Sequence, residues 1–259
     1  MTTSRKVGTA HHAEARLWAE RLQTEVVPRA DLSLPALLAS AGATGVLVVG
    51  GDRVTYHEPR RELVYFFHPG MARRRLRNYT AGRGDPMLTA MRLQAGDTVL
   101  DCTLGRGTDA TLAAHVAGPT GRVVGLEKMP VLAWMTIDGL QHYEIDDRLT
   151  REAMRRVEAH CADYAEALPR QETDSFEVVY FDPLFDQPVA GASGMVPLRQ
   201  LASDEPVTVA ALEEARRVAR RCVVIKQRVG TPLWAQLPFP LTLVSGGKSN
   251  IEYGVIVAA

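Results

Sequence analysis

The 259-residue chain has little cysteine, few aromatic residues and no net charge. Its three cysteines, Cys102, Cys161 and Cys222, lie far apart and form no C-x-x-C pair. That spacing excludes a disulfide framework, and each cysteine sits in or beside an apolar run, so free buried thiols in a reducing, cytoplasmic compartment are expected. Thirty basic residues balance thirty acidic ones, which argues against a protein that coats nucleic acid or acidic membrane non-specifically and leaves room for a local basic face. No apolar run approaches the roughly 20 residues of a membrane span, so no membrane association is expected. The opening residues carry no apolar signal region. None of the seven histidines falls into H-x-x-x-H or H-E-x-x-H spacing, so no metal site is expected. A hydrolase G-x-S-x-G turn is absent. Gly246-Gly-Lys248-Ser249 has the tail of a P-loop, but Thr242 stands where the leading glycine belongs and no helical pattern follows.

The residues that are present divide the chain in two. Residues 1–80 read as a small α+β domain. Helical patterns cover about 12–22 and the stretch opened by Ser33 and Pro35, which Gly42 ends. Val46–Val49 and Val54–Tyr56 form a hairpin about Gly50-Gly-Asp52, and Leu63–Phe67 is a third strand. From residue 81 to 259 strands alternate with helices. Thr98–Leu100, Arg122–Leu126, a short strand ending at Cys161-Ala-Asp163, Phe176–Phe181 and Cys222–Ile225 read as five strands. Helices are expected over Pro130–Tyr143, Thr150–His160 and Thr208–Arg221. Leu241–Val244 and Tyr253–Val257 are spaced as a closing hairpin. Five βα steps followed by a hairpin point to an α/β fold: the Rossmann-like sheet of a class I methyltransferase with a C-terminal β-hairpin, preceded by the small α+β domain.

In open parallel sheets ligands bind at the carboxyl ends of the strands. Those ends read Asp101, Glu127, Asp163, Asp182 and Lys226. After Asp101 comes a glycine turn, Gly105-Arg106-Gly107, and then a helix start at Thr108-Asp109. Such a turn lets backbone approach a cofactor, and the helix start offers free N–H groups. Taken alone, Gly105 to Ala110 also matches the dinucleotide pattern G-x-G-x-x-A, so an NAD-dependent oxidoreductase is one alternative, beside a methyltransferase of another substrate class. For S-adenosylmethionine (SAM), an acid ending the second strand is placed to accept both ribose hydroxyls. Glu127, 20 residues after Gly107, is that acid. Asp101 and the backbone of Gly105 and Gly107 would hold the methionine end. Asp163 is either beside the adenine or a surface loop acid, and Asp109 is either a cofactor residue or an acid that suits the helix dipole.

Asp182-Pro183-Leu184-Phe185 follows the fourth strand. A carboxylate and a carbonyl that accept the hydrogens of an exocyclic amine favour its nucleophilic form. Proline fixes the turn and removes a competing N–H, and an aromatic ring stacks on a flipped base. Asp182, Pro183 and Phe185 are therefore the candidate catalytic residues. Arg73, Arg74, Arg75 and Arg77, followed by Arg83, form a basic stretch that is either a solvated helix end or a phosphate-contacting face. Lys226 either anchors a phosphate or caps the sheet.

From about Phe66 onward the chain resembles the small-subunit ribosomal RNA guanine methyltransferase J family and its uncharacterised relatives. The likeness rests on His68-Pro-Gly-Met-Ala-Arg-Arg-Arg-Leu-Arg77 with Ala81-Gly-Arg-Gly-Asp85, on Asp101-Cys-Thr-Leu-Gly-Arg-Gly-Thr-Asp-Ala110, on Leu126-Glu-Lys-Met-Pro-Val-Leu-Ala133, on Asp182-Pro-Leu-Phe185 and on Gly247-Lys-Ser249 before Tyr253. The family carries a proline after D-P-x-F, where this chain has Asp186. The resemblance implies a SAM-dependent methyltransferase whose acceptor is a guanine amine of small-subunit ribosomal RNA. It also implies that Arg106, Asp109, Glu127, Lys128, Asp163 and Asp182 lie at the cofactor.

Overall fold

A computed structural model describes residues 1–5, 8–183, 201, 205–247 and 249–259. Backbone contacts separate Met1–His68 from a second unit that begins at Pro69. In the first unit β1 (Thr2–Thr3), α1 (Thr9–Arg21), α2 (Leu34–Ser40), β2 (Val46–Gly50), β3 (Arg53–Glu58) and β4 (Leu63–Tyr65) follow in order. The sheet order is β1-β2-β3-β4. The Ser33 hydroxyl accepts the Ala36 N–H at 3.3 Å and caps α2. Strand β1 pairs parallel to β2 through Thr2 and Thr3; two residues are too few to show a strand period.

The second unit runs α3 (Gly70–Asn78), α4 (Pro86–Met91), β5 (Thr98–Asp101), α5 (Thr108–Ala117), β6 (Arg122–Glu127), α6 (Pro130–His142), α7 (Arg148–Arg155), β7 (Val157–Cys161), α8 (Tyr164–Ala167), β8 (Phe176–Phe181), α9 (Val209–Val218), β9 (Ala219–Arg228), α10 (Leu233–Gln236), β10 (Leu241–Ser245) and β11 (Ile251–Val257). The arginine helix α3 packs on α5 and α7, so it belongs to this unit, and the division falls at His68/Pro69 rather than near residue 80. Two further boundaries differ from expectation. Residues 157–160, read as the end of a helix, are strand: the Asp147 carboxylate caps α7 by accepting the Thr150 N–H at 3.0 Å, the helix ends at Arg155, and Val157 then pairs with Val123 of β6. Residues 219–221, read as the end of the long helix, begin β9. Pairing in the sheet overrides local helical periodicity in both places.

The seven strands run in the order β10-β11-β9-β8-β5-β6-β7. β7, β6, β5, β8 and β9 are parallel; β11 and β10 close the sheet antiparallel. Chain order steps outward from β5 to β6 and β7, then returns to β8 on the other side of β5. The reversal makes the carboxyl end of β5 the switch point where such sheets bind ligands.

Pleating then sorts the side chains. Leu100, Val179, Phe181, Val223, Ile225 and Ile256 share a buried core with Leu212 and Ala215 of α9. Their neighbours along the strands, Asp101, Tyr180, Lys226 and Tyr253, point to the opposite face. The register sets Asp101 against Tyr180 and Lys226 against Tyr253. One face of the sheet therefore carries these polar residues together, and the other packs its apolar residues against α9.

Candidate functional site

At the end of β5 the chain turns sharply. Gly105 and Gly107 have φ of +52° and +68°, a backbone region that favours glycine. A Cβ on Gly107 would also come within 3.1 Å of the Leu140 side chain. The turn is held by the Leu104 N–H donating to the Leu126 carbonyl at 2.9 Å and by the Thr136 hydroxyl donating to the Gly105 carbonyl at 2.7 Å. The Glu127 carboxylate, 6% exposed, receives the Gly105 N–H at 3.0 Å and the Met129 N–H at 2.9 Å. Burial raises its pKa against the pull of those donors. The Lys128 backbone N–H pulls on the same carboxylate.

Asp101 is 1% exposed. It accepts the Thr103 N–H at 3.0 Å, and among the described residues no basic side chain forms an ion pair with it. Burial, reinforced by the nearby Asp109 charge, pushes its carboxyl well above the usual range. A buried acid with no ion-pair partner among the described residues, beside a glycine turn and a second buried acid at the end of the next strand, is a set that fits the ammonium, backbone and ribose of an S-adenosyl amino acid.

Asp109 has a different environment. It stands on the first turn of α5, 8% exposed. Arg75 donates to its Oδ1, Tyr180 donates to Oδ2 at 2.9 Å, and Lys226 Nζ lies 3.4 Å from Oδ2. Burial raises its pKa, but Lys226 and Arg75 outweigh that and hold it far below the usual carboxylate range. Lys226 Nζ also lies 2.6 Å from Asp182 Oδ2, while the Asp182 N–H donates to Thr103 Oγ1 at 2.6 Å. Asp182 is pushed up to about 6: burial raises it, Lys226 lowers it and the Asp109 charge raises it again.

The structure thus brings Asp101, Gly105, Gly107, Asp109, Glu127, Asp182 and Lys226 to one end of the sheet. Lys128 and Asp163 pair with each other at 3.0 Å at the ends of β6 and β7, and Asp163 caps α8 through the Ala165 N–H at 2.9 Å. Arg106 lies in the glycine turn and is half-buried. Pro183 directly follows Asp182; Phe185, with the remainder of its motif, lies outside the described residues. The basic stretch divides. Arg73, Arg74 and Arg77 are exposed on α3, and Arg83 is exposed with a hydrogen bond to Asn78 at 2.8 Å. Arg75 is not part of an outer face. It turns inward, bonds both oxygens of Asp85 at 3.0 Å and reaches Asp109. Asp85, Thr103, Tyr180 and Tyr253 were not expected at the site; the alternation of β8 and β11 carries the two tyrosines there.

The strand order, the glycine turn after β5 and the acid ending β6 define a Rossmann-like α/β methyltransferase. Residues 38–239 match the family described as "Putative SAM-dependent methyltransferase", and the chain belongs to that family. It is 35% identical over 256 residues to the uncharacterized protein YpiP of Bacillus subtilis, covering 99% of this chain and 98% of the relative. It is related to the ribosomal RNA small subunit methyltransferase J proteins. The identity is 32% over 208 residues with that of Dechloromonas aromatica (76% of this chain, 80% of the relative). With that of Ectopseudomonas mendocina it is 30% over 227 residues (84% and 81%). A crystal structure of a SAM-dependent methyltransferase from Neisseria gonorrhoeae shares the fold, with a TM-score of 0.66 at 22% identity over 99% of this chain and 94% of that one.

Two outcomes follow from these environments. Arg75→Ala strands Asp85 and Asp109 without their guanidinium and is expected to cost about 3–5 kcal/mol, whereas Arg74→Ala on the outer side of α3 stays within about 0.5 kcal/mol; urea denaturation of both variants checks the contrast, and equal losses would refute it. For Asp101, the folded chain holds the proton more tightly than the unfolded chain, whose carboxyl titrates at about 3.9. Its ionisation therefore removes stability as pH rises above about 4. Asp101→Asn is expected to gain stability relative to the parent as pH rises above about 4. A pH-independent difference in denaturation midpoint would contradict this.

Proposed function

We propose that the protein transfers a methyl group from SAM to an exocyclic amine of a base, guanine in small-subunit ribosomal RNA, at the site formed by Asp101, Glu127 and Asp182. The observation that carries this reading is the presence of those three acids on adjacent strands around the switch point, each in a different electrostatic state. The relationship to the ribosomal RNA small subunit methyltransferase J proteins supports the acceptor class. When bound, SAM supplies an electrophilic methyl on a sulfonium. Glu127 would accept the ribose hydroxyls, and Asp101 would pair with the ammonium, which compensates the burial that now raises its pKa. The N–H groups at the start of α5 and the Gly105–Gly107 turn lie against the same end. Arg106, Lys128 and Asp163 flank the turn and would border the adenosyl part.

Asp182 would accept a hydrogen of the amine and take its proton. A carboxyl that titrates near 6 is matched to that task at neutral pH. Pro183 and Phe185 would seat the base. Holding the two reactants in line supplies about 7–11 kcal/mol of the barrier in reactions of this type. Arg73, Arg74, Arg77 and Arg83 would contact RNA phosphates. This reading implies a cytoplasmic location, where ribosomal RNA is modified. NAD chemistry, the other reading of the glycine turn, has no support from the family match.

The test is incubation of the protein with methyl-labelled SAM and unmodified small-subunit ribosomal RNA. Label is expected in RNA, and Asp182→Ala is expected to lower it at least about a hundredfold, the scale of a lost general base. S-adenosylhomocysteine is expected to stabilise both proteins by about 2.7 kcal/mol at a hundredfold excess over its Kd. Stabilisation by NAD instead, or label confined to protein or small molecules, would overturn the reading.

A further inference from the structure

Lys226 serves two carboxylates from two different elements. Its Nζ is 2.6 Å from Asp182 Oδ2 and 3.4 Å from Asp109 Oδ2. The lysine side chain is 20% exposed and that of Asp182 27%. Asp109 is itself held on its other oxygen by Arg75, and Arg75 is locked by a two-point bond to Asp85. An alternating chain of charge therefore runs from helix α3 to the end of β8: Arg75, Asp109, Lys226, Asp182. The groups that face it are Asp101 from β5, Tyr180 from β8 and Tyr253 from β11, the last directly opposite Lys226 in the sheet.

We propose that Lys226 is the positioning residue of the acceptor site: its ammonium holds Asp182 by one oxygen, and Asp109 is a second, permanent partner that keeps the ammonium paired whenever Asp182 becomes neutral. The proposal rests on Asp182 being the acceptor's proton-accepting group. In that reaction the amine lone pair forms the N–C bond, the C–S bond breaks with its electrons passing to sulfur, and the amine proton passes to the Asp182 carboxylate. Lys226 neither gains nor loses a proton. An isolated Lys–Asp pair would be left with a poorly solvated, unpaired ammonium once the aspartate took its proton, a costly state. With Asp109 ionised beside it, the ammonium is never orphaned, and Asp182 is free to change charge.

The electrostatics agree with the geometry. Burial opposes the charge on Lys226, but Asp109 and Asp182 outweigh it and raise its pKa. Against burial, Lys226 and Arg75 hold Asp109 far below the usual carboxylate range, while burial and the Asp109 charge push Asp182 up to about 6. The basic residue expected either to anchor a phosphate or to cap the sheet is turned toward Asp109 and Asp182.

The experiment is a carbon-13 carboxyl NMR titration of the full chain, with the Asp182 signal assigned by its loss in Asp182→Asn. Methyl transfer from labelled SAM to unmodified small-subunit ribosomal RNA is measured alongside, with S-adenosylhomocysteine affinity. The wild-type Asp182 midpoint is expected near 6. Lys226→Gln is expected to raise it by about 1–3 pH units, and Lys226→Arg to return it toward the wild-type value. Asp109→Asn, which leaves the ammonium to Asp182 alone, is expected to lower it. In transfer, Lys226→Gln is expected to lower kcat and shift its pH profile with the RNA KM and S-adenosylhomocysteine affinity little changed, and Lys226→Arg to recover most of the loss. An Asp182 midpoint that moves in neither Lys226→Gln nor Asp109→Asn overturns the proposal. If Lys226→Gln does not fold, an unmoved midpoint in Asp109→Asn overturns it alone. Wild-type protein that binds S-adenosylhomocysteine yet methylates no RNA overturns the acceptor reading instead, while the titration still decides the Lys226 linkage.

Discussion

Asp109 is a carboxylate buried to 8% exposure on the first turn of a helix, and three donors from three other elements converge on it. Removing one member of such a cluster leaves uncompensated charge in a poorly solvated place, which costs far more than an exposed pair. The arrangement therefore ties α3, α5, β8 and β9 to a single geometry. The start of α5 also favours an anion through the helix dipole. Two features of the site depend on this one carboxylate: the inward turn of Arg75 and the position of Lys226 against Asp182.

The three other acids at the same end of the sheet are separated by their surroundings rather than by their chemistry. Glu127 is met by backbone N–H groups, Asp101 by one N–H and, among the described residues, no cation, and Asp182 by a shared ammonium. Where carboxylates lie near one another, repulsion raises the pKa of the one with the weakest partners. The differences also divide the work. The acids flanking the glycine turn are suited to binding polar groups of a cofactor, and the acid at the end of β8 is suited to exchanging a proton.

Much of this was legible in the residues. The inner strands of a parallel sheet are buried on both faces and so read as short apolar runs, and the acids that end them stood out as polar interruptions. The start of β7 was not legible, because Val157-Glu-Ala-His-Cys161 has no apolar run and continues a helical pattern from α7, so only the end of that strand was read. The direction of Lys226 was hidden for the opposite reason: Cys222, Val223, Val224 and Ile225 are all buried, so no alternation shows which face the next residue takes. Arg75 looked like its neighbours in a run of arginines. A helical wheel separates them, since Ala72 and Leu76 are the buried positions of α3 and Arg75 lies one turn from the first and beside the second. Asp85 as its partner is a contact of the folded chain and leaves no local signal.

The reaction proposed for the site is methylation of a guanine amine in ribosomal RNA. It is tested most directly by nucleoside mass spectrometry of small-subunit ribosomal RNA from cells lacking the protein, cells carrying it, and cells carrying the Asp182→Ala form. One exocyclic-amine methylguanosine is predicted to be absent without the protein, present with it and absent again with the variant. An identical set of methylated nucleosides in all three would contradict the account.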